Sequence, residues 1–277
     1  MSAPDAHRPT TEADPDPDAL LALARRLAIE AGELLADAVD RLDLGIVTKS
    51  SATDLVTDLD RAVERLLVDG LLAARPDDGV LGEEGSDRAG TSGVRWIIDP
   101  VDGTTNFVYG YPGFNVSVAA EVDGRVVAGC VVDPLHRDVF CATLGGGATR
   151  NDVAIACRDS SDLATALVGT GFSYDPERRR RQAVVLTHVL PEVRDIRRQG
   201  AAAIDLCWVA CGRVDAYFER GLQPWDHAAG GLIATEAGAR VEDLDGNPTS
   251  IDFTIAAPPA LFDKLRDLVE RAGARRA

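Results

Sequence analysis

The sequence predicts one continuous α/β fold in which helices and strands interleave around two stacked sheet regions. Apolar residues recur at helical spacing in several segments, and short β-branched runs separate those segments along the whole chain. No Gly/Ser-rich linker divides the 277 residues, a length near the upper limit for a single core. No apolar run approaches the roughly 20 residues that a membrane span needs.

The composition limits the classes of function. A hydrophobic content of 45% and a charged content of 27% are typical of a soluble globular protein. The net charge of −16 argues against direct nucleic-acid binding, because phosphate backbones bind clustered Lys and Arg. Basic residues cluster only at Arg178–Arg181 and at Arg194, Arg197 and Arg198, and we interpret them as a solvated helix face. If so acidic a chain handles a phosphorylated substrate, something cationic must intervene, which points to a bound metal.

The N-terminus and the cysteines indicate where the chain works. Residues 1–17 are acidic and proline-rich, lack the features of a signal peptide, and are predicted to be a disordered leader before a single domain over 18–277. The five cysteines are scattered without a C-x-x-C pair. Cys207 and Cys211 lie four residues apart without a nearby histidine, so small buried apolar side chains are the preferred interpretation. We expect a reducing, cytoplasmic location.

The first half of the domain, residues 18–150, is predicted to pass from helices into a strand meander. An amphipathic helix over 19–42 is followed by a hairpin over 45–57 with a Ser-Ser-Ala-Thr turn. Asp58 or Asp60 opens a second helix, roughly Leu59–Ala74, which Pro76 stops. A brief strand then leads into a GEEG loop, and residues 94–147 alternate as antiparallel strands with turns at Asp123-Gly124 and Asp133-Pro134.

The second half, residues 151–277, mixes shorter elements. Strands are predicted over 166–172, 193–199, 214–219 and 253–257, and helices over 175–193, 201–213, 225–239 and 258–272. Asp175-Pro176 is a helix start, whereas Gly212 and Gly238 are helix ends.

Several acidic residues stand out in the sequence, and most of them could have an ordinary structural role. Asp60 and Asp226 could each cap a helix, and Glu83 and Glu84 could be exposed loop charges. The stretch WIIDPVDGTTNF, residues 96–107, is harder to explain in this way. Its first acid, Asp99, follows an apolar strand, where a carboxylate needs a partner or a proton.

This stretch carries the groups that a cation site needs. Pro100 stiffens the turn, and the carboxylates of Asp99 and Asp102 with the Val101 carbonyl offer three oxygens, the ligand type of Mg²⁺. Gly103 lets the backbone approach an anion. A Thr104 hydroxyl could pass a proton from a metal-associated water to a neighbouring carboxylate.

The segments GEEGS, WIIDPVDGTTNFVYGYPGFNVSVA and WDHAAGGLIATEAGA resemble the signature segments of the inositol monophosphatase family. The resemblance extends to KSSATDLVTDLD and RRQGAAAIDLCWVACGRVDAYFE, and so to nearly everything after the leader. It implies a layered αβαβα sandwich, the sugar-phosphatase fold, with a metal-binding half over 18–150 and a substrate-binding half over 151–277. It also implies a lithium-sensitive, homodimeric phosphatase with about two to three Mg²⁺ ions per site.

The resemblance implies a role for each matching position. The metal ligands would be Glu83, Asp99, the Val101 carbonyl, Asp102 and Asp226, with Asp99 shared between two ions and Glu83 also holding a third, weaker one. Thr104 and Asp60 would activate the attacking water, and the amides of Gly103 and Thr104 would bind phosphate. The polyol would contact Gly200, Ala201, Ala202, Glu219 and Asp226. Glu84 matches no ligand.

The substrate stays open within this resemblance. Animal members carry a hydroxyl residue where this chain has Ala201, which removes one possible hydrogen bond to the sugar. The expected reaction is hydrolysis of inositol 1-phosphate by a metal-activated water. Histidinol phosphate, fructose 1,6-bisphosphate and other sugar or nucleotide phosphates are alternatives for the same chemistry. A minor alternative is a non-catalytic, transcription-associated factor whose surface would be the arginine runs.

Overall fold

The computed structural model describes residues 15–39, 47–48 and 55–277. Its helices are α1 Pro17–Ala38, α2 Asp58–Ala74, α3 Thr104–Val108, α4 Pro176–Val189, α5 Ala202–Ala210, α6 Pro224–Glu236 and α7 Pro259–Arg271. Its strands are β1 Val47–Thr48, β2 Leu55–Val56, β3 Gly79–Gly82, β4 Asp87–Arg88, β5 Val94–Asp102, β6 Asn115–Val122, β7 Arg125–Asp133, β8 Asp138–Thr143, β9 Gly147–Arg150, β10 Val153–Ala154, β11 Leu167–Thr170, β12 Asp195–Arg197, β13 Ala216–Glu219, β14 Arg240–Glu242 and β15 Thr254–Ala257. None of these helices is long and apolar enough to cross a bilayer.

Two large sheets organise the described chain. The first has the order β10-β9-β8-β7-β6-β5-β3-β4, and every pair from β5 to β10 is antiparallel, which confirms the predicted meander. The second has the order β12-β11-β13-β15-β14 and mixes parallel with antiparallel pairs. Strands β1 and β2 pair as the predicted hairpin.

The burial pattern of the strands shows that the sheets are stacked in an αβαβα sandwich. In β5, Trp96 and Ile98 belong to a core with α1 and α2, whereas Ile97 faces a second core built on α5 and α6. In β13, Tyr217 faces that same central core while Phe218 faces a third core with α4 and α7. Because successive side chains of a strand point to opposite faces, each sheet has helices on both sides. The predicted layered fold is therefore confirmed.

Several predicted helix boundaries agree with the structure, but the predicted capping residue of α2 is wrong. Residues 1–14 of the predicted leader, the turn at 50–53 and the predicted helix end at 40–42 lie outside the described residues. Helix α2 is capped by Thr57, whose Oγ1 accepts the amides of Leu59 and Asp60 at 3.2 and 3.3 Å, rather than by Asp58 or Asp60. Asp60 is the third residue of the helix, and its carboxylate accepts the Thr57 amide instead.

The other predicted helix ends agree with the structure. Asp175 caps α4 by accepting the Arg178 amide at 2.6 Å. Gly212 and Gly238 follow α5 and α6 with φ of +72° and +93°, the left-handed conformation that glycine adopts without strain.

Small residues let α5 and α6 pack closely in the central layer. A Cβ added at Gly230 of α6 would lie 2.7 Å from the carbonyl oxygen of Ala203 on α5. One added at Gly129 of β7 would lie 3.1 Å from the backbone of Ala229. These close approaches hold the second turn of α6 against α5 and against the first sheet.

Replacing Gly230 by alanine tests this packing. Gly230→Ala is expected to unfold at lower denaturant than Gly231→Ala, with a difference in the free energy of unfolding of about 1–3 kcal/mol, because the added methyl meets backbone. Gly231→Ala is the matched control, since its Cβ would meet only Val241 at 3.8 Å and gains the same helix propensity. Equal stabilities of the two variants would contradict the close packing.

Candidate active site

The two acids of the DPVD segment lie in a bulge at the end of β5. Asp99 pairs with Ser117 of β6, whereas Asp102 pairs with Asn115, so between these pairs two residues of β5 oppose one residue of β6. Pro100 lies inside the irregularity, where its missing amide costs no ladder hydrogen bond. The bulge directs both acids into the same region, and both are buried.

The carboxylate of Asp102 joins the two halves of the chain. It accepts hydrogen bonds from Asn115 Nδ2 at 2.9 Å and from the amides of Ala202 and Ala203 at 3.2 and 2.8 Å. Those amides are the first two of α5, where the helix dipole favours negative charge. Burial nevertheless raises the pKa of Asp102 to about 6, although these hydrogen bonds lower it.

Thr104 and Asp60 lie together, as the resemblance to the family implies. Thr104 Oγ1 is 3.0 Å from Asp60 Oδ1 and 3.1 Å from the Val101 carbonyl oxygen, so its one proton has two possible acceptors. The other Asp60 oxygen accepts from the amide of Thr57 at 3.0 Å and also contacts the Thr57 hydroxyl. Burial raises the pKa of Asp60, so this carboxylate takes up a proton more readily than a surface aspartate.

The loop that carries Glu83 is anchored by a residue that sequence reasoning missed. Glu64 of α2 is buried and accepts the amides of Glu84 and Ser86 at 2.7 and 3.0 Å, as well as the Ser86 hydroxyl at 2.7 Å. Gly82 leaves room for this carboxylate, since a Cβ there would lie 2.6 Å from Glu64 Oε2. Glu64 looks in sequence like any polar residue of an amphipathic helix.

Asp226 is the third residue of α6, so the alternative of a plain cap is wrong. Its Oδ2 accepts the amide of Gln223, the N-cap residue, at 2.6 Å. Loss of hydration raises the pKa of Asp226 well above its usual value, and the charge of Asp102 adds to the rise. Asp60 and Asp226 therefore have the same placement, each three residues into the first turn of a helix.

The carboxylates act on one another. Burial raises the pKa of Asp99 well above its usual value, and the charges of Glu83, Asp102 and Asp226 raise it further. Four carboxylates in mutual reach leave negative charge uncompensated, and their oxygens are the donors that Mg²⁺ prefers, so this donor set fits a divalent cation. Among the described residues, no three acidic, His or Cys side chains stand close enough to form a ready-made metal site.

Most of the residues predicted to contact phosphate and polyol, all except Glu219 and Asp226, are small residues in closely packed backbone. Gly103 has φ of +91°, and a Cβ there would lie 2.8 Å from the Gly113 carbonyl and 3.1 Å from the Ala201 Cβ. Gly103 is therefore required by its conformation and by packing, beyond the predicted approach to an anion. Ala201 is only 2% exposed and Ala202 is buried, and Gly200 precedes them with φ of +89°.

Glu219 lies at the end of β13, apart from the packed alanines. Loss of hydration raises its pKa to about 7, although the Tyr217 hydroxyl, which hydrogen-bonds to it, and nearby Arg198 and Arg178 lower it. A Cβ at Gly171 would overlap its carboxylate, so glycine is needed there.

An arginine cluster, Arg178, Arg181, Arg198 and Arg220, lies near Glu219: Arg178 and Arg198 act on its carboxylate, and Arg181 and Arg220 lie near Arg178. The Arg178 guanidinium covers Gly221, where a Cβ would lie 2.7 Å from its nearest nitrogen. Partial burial lowers the pKa of Arg178, and the charges of Arg220 and Arg181 lower it further. The predicted solvated surface is confirmed for the exposed residues Arg180, Arg181, Arg194, Arg197 and Arg198, whereas Arg178 and Arg179 are half-buried.

The chain and its fold have known counterparts. The model of the inositol monophosphatase family matches residues 16–274. The chain therefore belongs to the inositol monophosphatase family.

Individual relatives carry two kinds of name. An inositol-1-monophosphatase SuhB of Mycobacterium tuberculosis is 44% identical, with 94% of this chain and 97% of the relative covered. A Nus factor SuhB of Pasteurella multocida is 38% identical, with 91% and 96% covered. The crystal structure of the extragenic suppressor protein suhB of Bartonella henselae has a TM-score of 0.85 at 36% identity, with 92% of this chain and 98% of that chain covered.

The raised pKa values predict how stability depends on pH without metal. Asp102 and Glu219 have folded-state pKa values of about 6 and about 7, above the values of 3.8 and 4.5 expected in the unfolded chain. The stability that these two protonated carboxyl groups contribute is therefore fully present below about pH 4 and is lost as pH rises through their folded pKa values. In chelator, the thermal midpoint should fall between pH 5 and pH 8.

Added Mg²⁺ should raise that midpoint more at pH 8 than at pH 5, because the cation offsets charge that is present only at the higher pH. Asp99→Asn, which removes one of the four interacting charges, should make the metal-free decline shallower. A midpoint that stays constant or rises over this range would show that the acids are not held in an unfavourable environment.

Proposed function

We propose that this chain is a Mg²⁺-dependent phosphomonoesterase that hydrolyses inositol 1-phosphate to inositol and phosphate. The observation that carries the proposal is the position of Asp99 within electrostatic reach of Glu83, Asp102 and Asp226, beside the Thr104–Asp60 pair. Relatives named inositol-1-monophosphatase, 44% identical over nearly the full chain, support the choice of substrate.

The proposed metal ligands are the carboxylates of Glu83, Asp99, Asp102 and Asp226 together with the Val101 carbonyl. When bound, the metal supplies positive charge that draws the phosphate dianion into an acidic site and favours ionisation of a water. The chain itself fixes the donors: the β5 bulge presents two of them, Glu64 anchors the loop of the third, and the first turn of α6 presents the fourth.

Thr104 and Asp60 are proposed to handle the proton of the attacking water. With its own proton donated to Asp60 Oδ1, Thr104 Oγ1 can accept a hydrogen bond from a water and orient it. Thr57 occupies the other Asp60 oxygen, so Oδ1 is kept facing Thr104. The raised pKa of Asp60 suits it to take up a proton during the reaction.

The remaining predicted contacts divide between the phosphate and the alcohol. The amides of Gly103 and Thr104 are proposed to bind phosphate oxygens, with Gly103 kept in position by its packing against Gly113 and Ala201. Glu219 is proposed to accept hydrogen bonds from polyol hydroxyls. Ala201 contributes shape rather than a hydrogen bond, since it has no polar side-chain atom and is buried.

Phosphate release from inositol 1-phosphate in Mg²⁺ tests the proposal. Asp99→Asn is expected to lower kcat/KM by roughly 100-fold or more, because a neutral amide cannot replace a shared carboxylate ligand. Asp87→Asn is the matched control, since Asp87 is exposed on β4, and it should retain full activity. Undiminished turnover in Asp99→Asn, or no turnover in the unmodified chain, would reject the proposal.

A bisphosphorylated sugar, such as fructose 1,6-bisphosphate, is a second candidate substrate that the arginine cluster favours. The charges of Arg178 and Arg198 lower the pKa of Glu219. Among the described residues no ion pair is found for either arginine, whereas Arg180 pairs with Glu177. Guanidinium groups are good ligands for phosphate, so a second phosphate on the alcohol could bind here.

A substrate panel separates these candidates. If the cluster binds a second phosphate, Arg178→Gln should lower kcat/KM for fructose 1,6-bisphosphate roughly tenfold more than for inositol 1-phosphate, the effect of about one charge-assisted hydrogen bond. Arg180→Gln is the control on the same helix, because Arg180 is exposed and paired with Glu177. An equal effect on both substrates would remove the second candidate.

A different class of function is favoured only by names of relatives. Several proteins 38–41% identical to this chain are named Nus factor SuhB, and the expected surface for such a role is the arginine runs. The same assays separate the classes, because a non-catalytic factor would release no phosphate from any substrate of the panel. The homodimer, the lithium sensitivity and the cytoplasmic location stay predictions.

A further inference from the structure

Two of the five cysteines face each other inside the first sheet. Cys130 of β7 and Cys141 of β8 are direct register partners, and their Sγ atoms lie 3.8 Å apart. Both side chains lie on the sheet face that packs against α1, away from the α5–α6 layer. The sequence suggested only small buried apolar residues, because the eleven-residue spacing does not reveal the cross-strand pairing.

The hydrogen-bond pattern of the two strands makes this pair suitable for a covalent link. The Leu144 amide donates to the Val127 carbonyl at 2.9 Å, which identifies that pair as hydrogen-bonded. Hydrogen-bonded and non-hydrogen-bonded pairs alternate, so Cys130 and Cys141, three pairs further on, form a non-hydrogen-bonded pair with Cα atoms about 4.5 Å apart. A disulfide spans Cα separations of about 4.4–6.8 Å, so rotation of the side chains suffices.

We propose that Cys130 and Cys141 form an oxidation site at which hydrogen peroxide produces a reversible cross-strand disulfide, with Cys141 reacting first and Cys130 resolving it. Cys141 is the more exposed of the two, at 6% against 0% for Cys130. Arg25 and Asp152, which form an ion pair at 2.8 Å, border it on the solvent side, and their side chains are 39% and 75% exposed.

The charges around the pair agree with this assignment of roles. The contact with Cys130, followed by the nearby Arg25 guanidinium, lowers the pKa of Cys141 below its usual value, whereas the contact with Cys141 and burial raise the pKa of Cys130. Arg25 Nε is buried and has no hydrogen-bond partner among the described residues, so this cation has a donor to spare. The thiolate is the form that attacks peroxide, so Cys141 is the first to react.

The reaction balances with peroxide as the oxidant. The Cys141 thiolate attacks one peroxide oxygen, the O–O bond breaks, and the departing hydroxide takes the proton that Cys141 lost, giving water and a sulfenic acid. The Cys130 sulfur then attacks the Cys141 sulfur, the S–S bond forms, and the S–O bond breaks. The leaving hydroxide takes the Cys130 proton, so two thiols and one peroxide give one disulfide and two waters.

Thiol counting on the full chain tests the proposal. After treatment with limited peroxide, quenching, denaturation and alkylation, free thiols should fall from five to three, and peptide masses should join Cys130 to Cys141. A dithiol reductant should restore all five. Cys157→Ala is the matched control, because Cys157 is half-buried and unpaired with sulfur, and it should still form the disulfide.

Two variants test the separate roles. In Cys130→Ala, Cys141 has no resolving thiol and should proceed to the sulfinic acid, which the reductant does not reverse. Arg25→Gln should slow disulfide formation several-fold at neutral pH, because it removes a nearby cation that favours the Cys141 thiolate. Five free thiols after oxidation of the unmodified chain, a disulfide that joins other cysteines, or irreversible oxidation of Cys141 despite Cys130 would each overturn the proposal.

Discussion

Repulsion among closely placed carboxylates, two of them buried, is the constraint on which the functional half of this structure depends. Asp99 is withdrawn from water and lies within electrostatic reach of three further acids, so the ionised cluster is unfavourable unless positive charge accompanies it. A fold adopts such an arrangement only where other interactions hold the acids in place. The bulge in β5, the amides of α5 and the first turns of α2 and α6 provide those interactions.

The sandwich brings the β5 bulge, the α5 amides and the first turns of α2 and α6 together, because each of them lies where two layers of the fold meet. Strand β5 ends where the first sheet meets the central helices, and Asp102 crosses that boundary by accepting two amides of α5. The close approach of Gly230 to Ala203 sets the spacing of α6 beside α5, and with it the position of Asp226. Stability and chemistry are linked here, since loosening the central layer would also separate the acids.

The sequence was sufficient for much of this account, for identifiable reasons. Helical spacing and turn residues predicted the elements, and the resemblance to the family supplied their layered arrangement. The resemblance to the family implied that Thr104 and Asp60 act together, and the DPVD segment itself predicted that Asp99 and Asp102 lie in one turn. Glu64 and Asn115 were missed because their contacts join residues 20 and 13 positions apart, which no local pattern marks. The half-burial of Arg178 and the pairing of Cys130 with Cys141 likewise arise only from the packing of distant segments.

The central claim is that the acids at Glu83, Asp99, Asp102 and Asp226 jointly hold divalent metal. Anomalous diffraction from crystals of the chain grown or soaked with Mn²⁺ tests it most directly, because it locates the ion without relying on turnover. The account predicts anomalous peaks within coordination distance of the Asp99 carboxylate and of at least one further acid of this set, at roughly 2.2 Å. Saturating Mn²⁺ with no peak at these residues, or with peaks only at surface carboxylates, would contradict it.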